Sequence, residues 1–389
     1  MNCVYIVRSA GGGAGDATGK QGVNEMKFLS NAIGLGLALS LTGTAYAADD
    51  PVAAANADLA KYANIPTFTA PGAPFDAKAC MAGKSIMSIP ASSAVPFLAT
   101  IDASMTQVAK TVGFDFKVWE NQGQVAQWVQ GMDFGTSNKF SLIDLLAGVD
   151  PNSLAPQIKA ATDGGALVTA SHVTGFDVPV PPYVSAAIPI DYKAAGKLLA
   201  EWAISKTGGK VNALVLVTNE VPSTVSMVNG LKEAFATSPD SKYKLVDVSI
   251  ADWATKIQPN VQSAVIADPS INYVIAIYDS MAQFIVPALQ ITGASDHVKV
   301  AAFNGTPFVV DMVRNGQVEM DIGENLDWIA YGLLDAQMRL VCGLPAVTDP
   351  KIPFMLFDKN NAASAGNPAE PSKGYGDAYI AGFKDLWKL

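Results

Sequence analysis

The side chains that could do chemistry in this chain are few, and most stand singly. His172 and His297 are the only histidines, far apart, and neither neighbours a serine or cysteine in a recognisable nucleophile pattern. No G-x-S-x-G elbow is present, so a secreted α/β hydrolase lacks its nucleophile. No Cys-x-x-Cys occurs, which removes the usual zinc spacing, and no G-x-G-x-x-G follows the first predicted strand, which removes the dinucleotide fingerprint. What remains is a set of carboxylates, carboxamides, hydroxyls and aromatics that recur where short apolar runs end: Ser92, Phe97, Trp119, Asp150, His172, Glu220, Asp279, Asn304 and Glu324. Carboxylate and amide groups exchange hydrogen bonds with hydroxyls, and an aromatic face covers the C–H side of a ring. That chemistry suits binding a polyhydroxylated molecule rather than transforming one. Arginine, the bidentate clamp for carboxylate and phosphate, occurs only at positions 8, 314 and 339, which disfavours anionic ligands.

The elements that must position these residues alternate regularly. Strands are predicted at 85–89, 114–119, 140–146 and 166–170, separated by helices at 97–112, 124–132 and 153–162. A helix at 192–207 opens a second series, with strands at 213–217, 245–250, 273–277, 298–303 and 319–322. Helices at 223–236, 253–267, 281–293 and 307–315 separate these strands. A long helix at 328–342, a strand at 353–357 and a helix at 375–387 close the chain. Strand-helix alternation implies parallel sheets covered on both faces, and a run this long divides into two doubly wound domains. In such sheets ligands bind beyond the carboxyl ends of the strands, beside helix N-termini with unpaired N–H groups. Several of the candidates also have a purely structural reading. Asp150 before Pro151 and Asp279 before a helix are natural caps, and Trp253 reads as packing.

An internal start supplies the address. Met26-Lys27, the apolar run from Ala32 to Leu41 and Ala45-Tyr46-Ala47 form a secretory signal too short to span a bilayer. Residues 1–25 are expected to be an upstream extension, 26–48 the signal peptide and 49–82 an irregular, Ala- and Pro-rich lead-in. No cysteine stands at the cleavage site for lipid attachment, so a soluble protein of a Gram-negative periplasm is expected. The whole chain carries a formal charge of −9. The removed part takes three basic and two acidic residues, so the exported chain is more acidic still, which disfavours nucleic acid and anionic lipid. Cys80 and Cys342, the only cysteines beyond the signal, read either as one disulfide, as an oxidising compartment favours, or as two buried thiols.

The order of these features resembles the type I periplasmic sugar-binding proteins, the ribose- and galactose-binding family that feeds ABC transporters. The resemblance lies in Pro96-Phe97 after the first strand, Leu146 to Pro151, Asp191 to Gly196, Tyr278-Asp279-Ser280-Met281-Ala282, and Phe303-Asn304-Gly305-Thr306-Pro307. It implies an α/β fold of two doubly wound parallel-sheet lobes joined by three hinge strands. Lobe one would comprise 83–189 plus 325–356 and lobe two 190–324 plus 357–389, with crossings near Pro189-Ile190, Glu324-Asn325 and Phe357-Asp358. It places Cys80 and Cys342 at the same end of lobe one, which favours the disulfide. It implies a cleft closing on a ligand through Ser92, Phe97, Trp119, Asp150 and His172 of one lobe and Glu220, Met227, Asp279 and Asn304 of the other. Glu324 and Trp328 would stand at the hinge. Phe97 occupies the stacking aromatic's place, and Asn304 replaces the usual aspartate. Ser171-His172 replaces an aspartate-arginine pair, and the arginine expected around Met227 is missing. The implied function is the solute-binding component of an importer for a neutral sugar or polyol, partnered by an ABC permease, monomeric, without cofactor and without catalysis. A co-receptor for a membrane sensor kinase and an importer for a non-sugar molecule are the alternatives. A repressor built on the same lobes would carry an N-terminal helix-turn-helix instead of a signal.

Overall fold

The computed structural model describes residues 50–179 and 181–389. The expected signal peptide and upstream extension lie outside the described residues. The chain begins with α1 (Pro51–Leu59) and a short α2 (Ala77–Met81). The first series is β1 (Ser85–Pro90), α3 (Pro96–Val112), β2 (Asp115–Val118), α4 (Val125–Ser137), β3 (Leu142–Leu146), α5 (Ala155–Asp163), β4 (Leu167–Ser171) and β5 (Ala186–Ile188). The second opens with α6 (Tyr192–Thr207), β6 (Asn212–Val217), α7 (Ser223–Ala236), β7 (Lys242–Asp247), α8 (Trp253–Ala267) and β8 (Tyr273–Ala276). It continues through α9 (Ala282–Thr292), β9 (Lys299–Asn304), α10 (Pro307–Arg314), β10 (Met320–Glu324), α11 (Leu326–Val341), β11 (Phe354–Asp358) and α12 (Ala378–Trp387).

The first sheet has the order β2-β1-β3-β4-β5 and is wholly parallel. The second has the order β11-β10-β9-β8-β6-β7 and is parallel except where β11 runs antiparallel to β10. Central strands such as Leu142–Leu146 and Tyr273–Ala276 are buried throughout, as continuous apolar runs must be when helices cover both faces. The edge strand β7 is half-exposed and starts three residues before its predicted beginning. Helix ends follow local rules. Pro96 stands in the first turn of α3 and Gly113, at φ 98°, ends it. The Asp191 side chain caps α6 by accepting from Ala194 N, and that of Asn325 caps α11 by accepting from Trp328 N at 3.0 Å.

The two lobes expected from the alternation are therefore present as two sheets with their own cores. The chain crosses between them after β5, after β10 and again between Cys342 and Phe354. That last passage precedes β11 rather than following it, because β11 is already part of the second sheet. The lead-in is not irregular. Asp50 caps α1, which lies on α6 through a Lys197–Asp58 ion pair and a Ser205–Asn56 hydrogen bond. Residues beyond it return to the first lobe, where α2 is joined to the end of α11 by a Cys80–Cys342 disulfide, Cα–Cα 5.9 Å. The C-terminal helix also departs from its expected lobe. Tyr379, Phe383, Leu386 and Trp387 belong to the first lobe's core, with Tyr379 stacked on Trp328 and Trp387 on Tyr331. The apolar face of α12 fits the side of α11, and Trp387 Nε1 donates to Asp335 Oδ1 at 2.8 Å.

Candidate functional site

Strand ends of both sheets meet at one cavity. The first lobe contributes Ala91 after β1, Ala147 after β3 and His172 after β4, together with Val95, Phe97 and Leu98 at the start of α3. The second contributes Val221 and Ser223 after β6, Ile250 and Trp253 after β7, Tyr278 and Ser280 after β8, Asn304 at the end of β9, and Tyr192 from α6. The enclosed space is about 40 Å³, room for a few waters. A second recess of about 230 Å³ adjoins it, sharing Val95, Ile250, Trp253 and Ser280 and reaching out to Ser92 and Gln122. The rims touch. Val95 and Ile250 each pack against the cores of both lobes, and Ser226 Oγ donates to Asp177 Oδ1 across them at 2.5 Å.

At the back of the cavity lies a buried polar chain that ties the lobes together. His172 holds a left-handed backbone, φ 57°, uncommon for a residue with a Cβ. Its Nε2 is hydrogen-bonded to Glu324 Oε2 at 3.0 Å and its Nδ1 to the Tyr192 hydroxyl, which donates to the His172 carbonyl at 2.8 Å. Asn304 Nδ2 donates to Glu324 Oε2 at 3.3 Å, and Tyr375 donates to the Glu324 carbonyl at 3.1 Å. Both imidazole nitrogens and the carboxylate are thus engaged inside the protein. A second cluster joins Ser223 and Thr224 to the Tyr278 hydroxyl at 2.8 and 3.0 Å. Burial raises the Tyr278 phenol to about 12, so it stays a neutral donor and acceptor.

The sequence candidates divide between the wall and the support. Phe97, His172 and Asn304 line the cavity, with the Phe97 ring 5.4 Å from the imidazole. Glu324 stands directly behind them, and Ser92 lines the outer recess. The others hold the frame. Asp279 accepts from the Thr306 N–H at 2.6 Å and its hydroxyl at 2.7 Å, fixing the loop after β9, while its neighbours Tyr278 and Ser280 face the cavity. Burial raises the Asp279 carboxyl to about 7, and Asp321 beside it is raised further by burial and by Asp279. Glu220 is exposed and accepts from Ile250 N at 2.7 Å, anchoring the loop that carries Ile250. Asp150 caps the turn at Pro151 by accepting from Asn152 N at 2.9 Å, its structural reading. Trp119 turns onto α4, donating to the Gln127 carbonyl at 2.8 Å and packing on Phe134. Met227 is wholly buried because α6 and α7 meet backbone to backbone at Gly196, where any Cβ would strike the Met227 carbonyl. Trp328 is core, stacked on Tyr379.

The wall residues the sequence reading passed over are mostly apolar: Val95, Val221 and Ile250, with Trp253 taken as packing. The Trp253 indole N–H is bonded inward to Thr218 and Val248, each at 3.1 Å. Position gave a signal that residue type hid, since each of these stands within a few residues of a strand end already marked.

Residues 86–345, well over half of the chain, match the family model described as periplasmic binding protein domain. The chain belongs to this family. A D-ribose/D-allose-binding protein of Pseudomonas aeruginosa is 25% identical over 181 residues, 45% of this chain. The match spans only about half, 55%, of that relative's length. Among solved structures, an ABC transporter solute-binding protein from Agrobacterium vitis with bound allitol superposes with a TM-score of 0.64 at 18% identity. It covers 72% of this chain and 96% of its own. A solute-binding protein from Actinobacillus succinogenes with bound D-allose gives 0.63 at 19% identity, over 72% and 99%. The Caulobacter myo-inositol binding protein gives 0.64 at 16%, over 74% and 97%. At these identities the likeness establishes the two-lobed periplasmic binding protein fold.

Proposed function

We propose that this protein is the periplasmic solute-binding component of an ABC importer, closing its lobes on one small neutral ligand of the sugar or polyol class. The observation that carries the reading is the cavity walled by strand ends of both sheets and backed by the His172–Glu324–Asn304 chain that crosses from lobe to lobe. Ligand contacts available only when both rims meet favour the closed form by population shift, and the closed pair of lobes is the shape offered to a permease. The sugar and polyol binding named for its relatives supports the ligand class, and the Cys80–Cys342 bridge suits an oxidising compartment.

Thermal melting of residues 49–389 against sugars, polyols, amino acids and amines tests this. A ligand at a hundred times its Kd adds about 2.7 kcal/mol of stability, read as a raised melting temperature. The Asn304→Ala variant should lose that rise while keeping its own cooperative melt. A rise undiminished in this variant rules out the cavity as the binding site.

A further inference from the structure

We infer that the cleft takes a compact neutral ring with apolar faces and its oxygens along one edge, in place of a ring hydroxylated all round. This rests on the solute-binding reading above and narrows its ligand. The two rims differ in chemistry. From the first lobe the cavity receives Ala91, Val95, Phe97, Leu98 and Ala147, all hydrocarbon, and the one polar side chain there, His172, has both nitrogens bonded to Glu324 and Tyr192. The second lobe adds Val221, Ile250 and Trp253, whose N–H points away. The available hydrogen-bonding groups are the Ser223–Tyr278 hydroxyl pair, Ser280 and Asn304, all on the second lobe. Asn304 gives one amide N–H to Glu324, and its other N–H and its amide oxygen have no hydrogen-bond partner among the described residues.

In this inner cavity a ligand meets side-chain donors and acceptors from the second lobe only, the first lobe's Ser92 and Gln122 lining the outer recess. Each hydroxyl turned to the first lobe in this inner cavity would be buried unpaired, which costs affinity. A hydrocarbon edge or ring face at the same place gains burial instead. No Lys or Arg lines either recess, so an anionic ligand finds no countercharge. A deoxygenated sugar ring and a neutral phenol share the required chemistry.

Calorimetric titration of residues 49–389 separates these sources and tests the inference. One arm uses a 2,6-dideoxyhexose, one uses catechol and cis-1,2-cyclohexanediol, and the last uses D-allose, D-ribose, allitol and myo-inositol. A one-edge ring should bind at least about tenfold tighter than every fully hydroxylated compound, a difference of about 1.4 kcal/mol. The arm that binds names the source. Val95→Thr, which adds a hydroxyl to the first rim at nearly unchanged volume, should narrow that ratio. A fully hydroxylated compound binding as tightly as the one-edge rings, or a ratio unmoved by Val95→Thr, overturns the inference and leaves the solute-binding reading in place. No heat and no melting shift in any arm overturns both.

Discussion

At the scale of single residues, the candidate site is a buried polar chain behind a cleft whose inner first-lobe wall is mostly apolar. Glu324 is fully buried, and its carboxylate is held by His172 and Asn304. Removing one partner of such a pair leaves a charge in low dielectric, typically about 3–5 kcal/mol of lost stability. His172→Ala should show that loss in urea unfolding, and adding Glu324→Gln to it should recover much of it. A double variant as unstable as the single one would mean that the uncompensated carboxylate is not the cause. Other buried carboxyls, among them Asp102, Asp144 and Asp279, shape the acid side of the stability profile. Burial raises Asp102 to about 7, Asp144 to about 6 and Asp279 to about 7, against partial relief from their hydrogen bonds to Ser88, to Thr169 and Ser171, and to Thr306 respectively. Each binds its proton more tightly in the fold than in the unfolded chain, so their stability is fully present below about pH 4 and lost as pH rises through about 7. The melting temperature should therefore fall between about pH 4 and pH 7, and a flat or rising profile would contradict this assignment. Phe97, His172 and Asn304 were legible because hydrogen-bonding and aromatic residues at strand ends stand out from core. Val95, Val221 and Ile250 were not, because an apolar wall residue has the same composition as an apolar core residue.

At the scale of elements, the alternation of strand and helix is legible because parallel strands buried on both faces are continuous apolar runs, and the helices between them carry a different period. Three features escaped that reading for physical reasons. The three-residue β5 is too short to show a period. Helix α1 is Ala-rich and bounded by a proline, so it reads like coil until α6 supplies its partner. The apolar face of α12 announces burial without saying against which lobe. Its docking on the first lobe carries a prediction. Phe383 is wholly buried between Phe68, Tyr331 and Trp387. Phe383→Ala should cost about 3–5 kcal/mol in urea unfolding, because the aromatic stack cannot collapse around the gap. A loss under about 1 kcal/mol would place α12 outside the cooperative core.

At the scale of the whole molecule, the chain passes between lobes more often than the three expected crossings. The segment from α1 to α2 makes one additional passage, and the segment between Tyr375 and Tyr379 makes another. The first of these is anchored covalently: α1 sits on the second lobe through α6, and Cys80 fastens α2 to the first lobe at Cys342. The bridge spans a sequence separation of 262 residues, so its loss mainly enlarges the unfolded ensemble, in the range of about 2–5 kcal/mol for so long a loop. Helix α2 precedes β1, whereas the cavity lies beyond the carboxyl ends of the strands, so the bridge stands at the opposite end of the first lobe from the cavity. Stability and binding should therefore separate. The variant carrying Cys80→Ser and Cys342→Ser should unfold at lower urea with its ligand Kd changed by less than about twofold. A Kd weakened in proportion to the stability loss would instead mean that the N-terminal passage governs closure, because a strap released at the first lobe changes the balance of open and closed forms on which binding depends.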